Sequence, residues 1–368
     1  MTIIELQYLT YQVLACSFVV SYLLGFIVHR SHFCTMGAIA DIFLMQDWAR
    51  AYQWMTATGL AMLGFGMLSV GGLIDPTKTL YASAKWYWAS TLTGGFLFGF
   101  GMVLSSGCGL KSLVRAGAGN LKSLVVLIVM GSFAFMTIKG VFAVIRVATI
   151  DHLAVNISGG ANWANLLGFA SVDQWGWFAI ASSVLFLVAI LCFKKARESS
   201  NLITGLLIGS LFVGIWWVGG YMGHVAEHPD TLEEVFVGSK SGRIEAFSFV
   251  GPVAYFWNWL EFYSDKSNLL STGVISVIGV FTGSLTSALT NSTFKWEGFS
   301  QNEDMGFHLS GAVMMGIGGV LALGCTVGQG ISGLSTLSLN ASTALLGIIS
   351  GAWISLSLRS NIVDCKTI

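Results

Sequence analysis

The chain has 368 residues, 54% of them hydrophobic and 10% charged, and its 18 basic and 18 acidic side chains give a formal net charge of zero. A soluble domain carries about 25% charged residues, so the composition excludes a soluble globular protein. The neutral balance leaves no electrostatic footprint for a nucleic-acid partner.

Apolar runs of about 20 residues match a hydrocarbon core of about 30 Å. They predict an all-α polytopic membrane protein with nine spans, near 8–29, 52–73, 87–106, 121–147, 175–193, 202–222, 269–290, 307–323 and 338–358. The residues before the first run lack the basic stretch of a cleavable signal peptide, so that run is expected to be a span. Two shorter apolar pieces, 33–48 and 246–262, sit beside Gly, Pro or polar residues. They are expected to be re-entrant or interfacial segments. Lys194, Lys195 and Arg197 mark the end of the fifth span as cytoplasmic. Alternation then puts Arg30, Arg50, Lys111, Arg115 and Lys122 on the same side. The acidic segment with Glu227, Asp230, Glu233 and Glu234 falls outside, as a solvated loop, and so does the N-terminus; a cytoplasmic tail follows over 359–368. Lys139 and Arg146 are expected on one face of the fourth span. The segments 148–175 and 226–243 are expected to lie over the outer opening.

Gly324-Cys325 repeats Gly107-Cys108 at an offset of 217 (325 − 108). The same offset pairs Gly94 with Gly311, Gly101 with Gly318, Val103 with Val320 and Leu104 with Leu321. The two Gly-Cys pairs end helices that run in opposite directions, which predicts inverted-topology repeats. Repeat one covers about 8–147, repeat two about 202–358, and the helix near 175–193 links them within a single domain over 1–358. An offset of 214 pairs Phe33 with Phe247, Gly37 with Gly251 and Cys34 with Ser248. Four irregular loops, 30–37, 105–120, 244–252 and 322–337, are then expected to meet near the midplane.

Irregular backbone at membrane depth is tolerated only inside protein or along a wet cavity. Such loops expose N–H groups that favour an anion. Cys34, Cys108 and Cys325 would line the meeting point with soft, weakly donating thiols, and Ser248 with a hydroxyl. Gly107, Gly109 and Gly324, with Gly328 and Gly330, would let backbone approach a ligand. Gln329 is a candidate hydrogen-bond partner for oxyanion atoms. Lys111 and Arg115 would draw an anion toward the cytoplasmic exit. His29 and His32 flank Arg30 in structural roles, and Cys16, Cys192 and Cys365 are expected to be packing residues. No CxxC pair supports zinc or dithiol chemistry, and no Walker motif supports ATP use. No cofactor or metal is expected.

His29-Arg30-Ser31-His32-Phe33-Cys34, Ser106-Gly107-Cys108-Gly109 and Leu323-Gly324-Cys325-Thr326-Val327-Gly328 resemble the three cysteine motifs of the YeeE/YedE family of bacterial sulfur-compound transporters. Phe247-Ser248-Phe249-Val250-Gly251-Pro252 resembles its remaining loop. The resemblance spans nearly the whole chain. It implies nine spans, an hourglass-shaped interior and uptake of thiosulfate or a related sulfur anion across the bacterial inner membrane. Cys34, Cys108 and Cys325 would be its central cysteines, and a separate small cytoplasmic sulfur-carrier protein its partner. The alternatives are transport of another sulfur or selenium species, or a membrane thiol oxidoreductase or sulfurtransferase.

Overall fold

The computed structural model describes residues 3–157, 159–169, 171–229, 232–265, 269–299 and 301–366, and for 361–366 the backbone only. Its helices are α1 (Ile3–Ser31), α2 (Thr35–Met45), α3 (Ala49–Val70), α4 (Trp88–Leu104), α5 (Gly109–Gly117), α6 (Leu121–Lys139), α7 (Val141–Ala148), α8 (Trp163–Leu166), α9 (Val172–Leu191), α10 (Ser199–Trp217), α11 (Val250–Glu261), α12 (Thr272–Thr290), α13 (Asn302–Leu321) and α14 (Leu339–Lys366). The described strands form two short antiparallel pairs, Lys85–Trp86 with Val155–Asn156 and His224–Val225 with Val235–Phe236. The protein is an all-α polytopic membrane protein.

Among the described residues, seven helical stretches are long and apolar enough to cross a membrane. The two other expected spans are α3 and α13, with 22 and 20 residues. Both pack polar or small residues against neighbouring helices, and so do without a fully apolar surface. Gln53, Thr56 and Thr58 of α3 are buried, and α13 starts with Asn302, Glu303 and Asp304 and buries four glycines, Gly311, Gly316, Gly318 and Gly319.

Glycine decides how the helices meet. α4 and α13 cross at two reciprocal contacts. A Cβ on Gly101 would lie 2.6 Å from the Gly311 carbonyl oxygen, and one on Gly311 equally close to that of Gly101. A Cβ on Gly318 would lie 2.7 Å from the Gly94 carbonyl oxygen. The offset of 217 exchanges these two contacts. α4 also packs on α14 and α13 on α6, while α1 packs on α12 and α10 on α3. Small residues at such crossings let backbones approach and make dispersion contacts, the main attraction between helices in lipid.

The two ends of the bundle differ in chemistry. At one end Lys195 pairs with Asp47 at 2.9 Å, Arg50 with Asp41 at 3.3 Å and Lys122 with Asp304 at 2.7 Å. Lys195 and the Ala49 N–H hold the exposed Asp47 carboxyl below its usual range, the backbone bond contributing most. At the other end Lys78 and His224 both reach Glu234, each at 2.6 Å.

Several expectations are corrected. The fourth span stops at Lys139, because Gly140 leaves helical geometry and α7 begins a new helix. Lys139 and Arg146 therefore do not share a helix face, and Arg146 pairs with Asp151 at 3.1 Å. The expected loops 105–120 and 322–337 are mostly helical: non-helical backbone is confined to 105–108 and 118–120 in the first and to 322–325 and 336–337 in the second, with α5 and a π-helical segment, Gly328–Gly333, between them. The 148–175 segment carries a strand and α8. α14 continues through the expected tail to Lys366, and Asp230 and residues 367–368 lie outside the described residues.

Gly101→Leu is expected to lower the thermal stability of the purified protein, since overpacking costs about 1–3 kcal/mol or more. Gly306→Ala, with open space around its Cβ, is the control. Equal melting temperatures would show that the crossing tolerates bulk.

Candidate functional site

Each Gly-Cys pair sits in a turn built the same way. After α4, Ser105 N–H donates to Gly101 O (3.0 Å), Ser106 N–H to Val103 O (3.2 Å) and Gly107 N–H to Met102 O (2.9 Å). After α13, Ala322 N–H donates to Gly318 O (2.8 Å), Leu323 N–H to Val320 O (3.0 Å) and Gly324 N–H to Gly319 O (2.8 Å). Ser106 and Leu323 adopt left-handed φ of 57° and 59°, at a cost of about 1–2 kcal/mol each. The next helical bonds, Ser112 N–H to Cys108 O and Gln329 N–H to Cys325 O, are both 2.8 Å. Each turn satisfies the orphan carbonyls of one helix and starts another within a few residues.

The same local bonding recurs at other breaks. Cys34 caps α2, its sulfur accepting from Gly37 N–H at 3.3 Å. Cys325 sulfur accepts from Gly328 N–H at 3.3 Å. Ser332 Oγ donates to Phe247 O at 2.8 Å and ties the π segment to the strip carrying Ser248.

These elements bring the four expected positions into one buried layer. The Cys34 and Cys108 side chains face each other. Thr326, next to Cys325 in the chain, lies beside Cys108. Ser248 Oγ is 3.9 Å from Cys325 Sγ. The relative exposures of Cys34, Cys108 and Cys325 are 8%, 2% and 0%. All three are free thiols.

Two cavities approach this layer. One, of about 210 Å³, is lined by Ser248, Gly324, Arg146, Lys240, Glu245 and Ile138, among others. The second, of about 370 Å³, touches Ser106, Arg115, Lys122, Lys295, Glu297 and Asp304. They lie at opposite ends: α6 contributes Ile138, near its C-terminus, to the first and Lys122, in its first turn, to the second.

A profile of the family described as sulphur transport matches residues 30–354. The chain belongs to the sulphur transport family. It is 25% identical over 342 residues to the thiosulfate transporter TsuA of Escherichia coli (strain K12), covering 90% of each chain. It is 23% identical over 348 residues to the thiosulfate transporter TsuA of Spirochaeta thermophila (strain ATCC 700085 / DSM 6578 / Z-1203), covering 91% of this chain and 95% of that one.

In this family member several expected roles change. Arg115 is no free surface charge: its guanidinium donates to Ser106 O at 2.8 Å and braces the turn that presents Cys108. Lys111, half-buried, has Cys34, Cys108 and Arg115 as electrostatic neighbours. Three of the glycines have close neighbours within the protein. A Cβ on Gly328 would sit 2.7 Å from Ser248 Oγ, one on Gly330 2.5 Å from the Trp54 ring and one on Gly324 3.1 Å from the Gln329 amide. Gly107 and Gly109 have ordinary contact distances, 3.5 Å and 3.6 Å at the nearest. Gln329 is buried beside Gly324, and its Oε1 has no hydrogen-bond partner. His308 is buried, with Nδ1 2.8 Å from Asp304 O. Trp216 is a packing residue, its indole donating to Ser335 Oγ at 3.0 Å.

Sequence reasoning passed over Thr326. It is fully buried, and its Oγ1 has no hydrogen-bond partner of good geometry. The signal was a hydroxyl residue where the first motif has Gly109.

The burial difference has a direct readout. In variants retaining one cysteine, a maleimide is expected to label Cys192, which is exposed, well before Cys325. Equal rates would mean that the Cys325 thiol is open to bulk water.

Proposed function

We propose that this chain takes up thiosulfate across the bacterial inner membrane, through a path lined by Cys34, Cys108, Cys325 and Ser248. The observation that carries this reading is the convergence of three buried free thiols and one hydroxyl on a layer that cavities approach from both ends. Two thiosulfate transporters, similar over nine-tenths of the chain, support the substrate. Thiols suit a soft terminal sulfur and hold no fixed charge that would trap the ion; conduction needs binding weak enough for release.

The topology is part of the proposal: nine spans, including α3 and α13, in inverted repeats over about 8–147 and 202–358, with α9 as the link. The two matching turns and the reciprocal α4–α13 contacts support it. The ends with Arg30, Arg50, Lys122 and Lys195 would be cytoplasmic, with the N-terminus outside and the C-terminus inside, in line with the positive-inside rule. The anion would then enter beside Arg146 and Lys240 and leave past Lys111 and Arg115. A small sulfur-carrier protein would receive it on the basic side.

The test is uptake of ³⁵S-thiosulfate by cells that lack other carriers for it. Cys108→Ala and Cys325→Ala are each expected to lower uptake at least about tenfold, the equivalent of about 1.4 kcal/mol. Cys16→Ala is expected to transport normally. Equal effects at all three positions would remove the special role of the paired cysteines, and no uptake by the unaltered chain would remove thiosulfate. Ser248→Cys is expected to retain more uptake than Cys34→Ala, because it keeps a polar hydrogen at its station.

A further inference from the structure

The buried layer contains one group that the thiol path leaves unused. Thr326 has no exposed surface, and its hydroxyl lacks a hydrogen-bond partner of good geometry. It follows Cys325 in the chain, and its hydroxyl approaches the Cys108 thiol without a well-formed hydrogen bond. A buried hydroxyl without a partner costs free energy, and a valine of the same shape would avoid that cost. The residue at this position therefore opposes the stability of the empty protein, as expected of a group whose partner is a ligand.

The neighbouring orphan does not compete for the role. Gln329 Oε1 is also buried without a partner, but it only accepts, and the donating half of that amide, Nε2, lies against Gly324. A threonine hydroxyl rotates and donates. Ser248, the other hydroxyl of the layer, already lies against Cys325, 3.9 Å away.

We propose that the Thr326 hydroxyl is a specificity-determining donor that binds a sulfonate oxygen of thiosulfate while the neighbouring thiols take its terminal sulfur. This inference rests on the thiosulfate reading above and deepens it. Thiosulfate has a soft end and a hard end. Thiols alone suit the soft end; a hydroxyl beside them adds a donor for the hard one. The contact is a reversible hydrogen bond, and no covalent step is involved.

The experiment uses the full chain, purified and placed in lipid vesicles, with ³⁵S-thiosulfate as the probe. Thr326→Val is expected to lower uptake at limiting thiosulfate at least about tenfold, the loss typical of one hydrogen bond to a charged group. The loss should fall on KM more than on the maximal rate. Thr326→Ser should restore most of it. The melting temperature of Thr326→Val in detergent should equal or exceed that of the unaltered chain, because the hydroxyl's contact with the Cys108 thiol is poorly aligned and weak. Unaltered uptake by Thr326→Val overturns the proposal. So does a Thr326→Val protein that unfolds or melts early, since the hydroxyl would then be structural. Vesicles holding the unaltered chain that take up no thiosulfate overturn the underlying reading instead, and that failure does not depend on position 326.

Discussion

A helix that ends inside a low-dielectric layer must find partners for its last carbonyls, and the architecture of this protein turns on how two helices do so. α4 and α13 both stop within the bundle. Each is closed by a 6→1 bond, Gly107 N–H to Met102 O and Gly324 N–H to Gly319 O. An unsatisfied backbone group in hydrocarbon costs several kcal/mol, more than the left-handed residue each turn requires. With those bonds made, the chain can break, place a cysteine and begin a new helix without exposing raw backbone to lipid. Everything at the buried layer follows from that economy of partners.

The turns also explain the division of labour among nearby residues. The Ser106 carbonyl is left free by the turn and is taken by Arg115. A positive charge thereby becomes a structural brace while still bordering a polar cavity. The π segment after Cys325 lets Ser332 hold the Phe247 carbonyl, which keeps Ser248 within reach of Cys325. Such single π turns are frequent at functional sites. Here the turn joins two breaks that lie 77 residues apart in the chain (325 − 248).

Glycine does two separate things in this chain, and only one was visible from motifs. Gly94, Gly101, Gly311 and Gly318 allow α4 and α13 to touch backbone to backbone. Gly328 and Gly330 make room for Ser248 and Trp54, where an open site had been expected. The Lys139–Arg146 pair failed for a related reason: hydropathy carries a span straight through Gly140, but the backbone there leaves helical geometry.

The membrane class, the helical architecture and the sulphur transport family were legible in the chain itself, because apolar length, low charge and the spacing of Cys34, Cys108 and Cys325 are properties of residue order. The duplicated Gly-Cys turn was legible for the same reason: its hydrogen bonds are local, so similar strings make similar turns. What residue order could not supply is which side chains share space. That Cys34 faces Cys108, that Ser248 lies against Cys325 and that Thr326 lies beside Cys108 all depend on contacts between segments far apart in the chain. Those contacts are set by the packing of whole helices, and only the tertiary structure decides them.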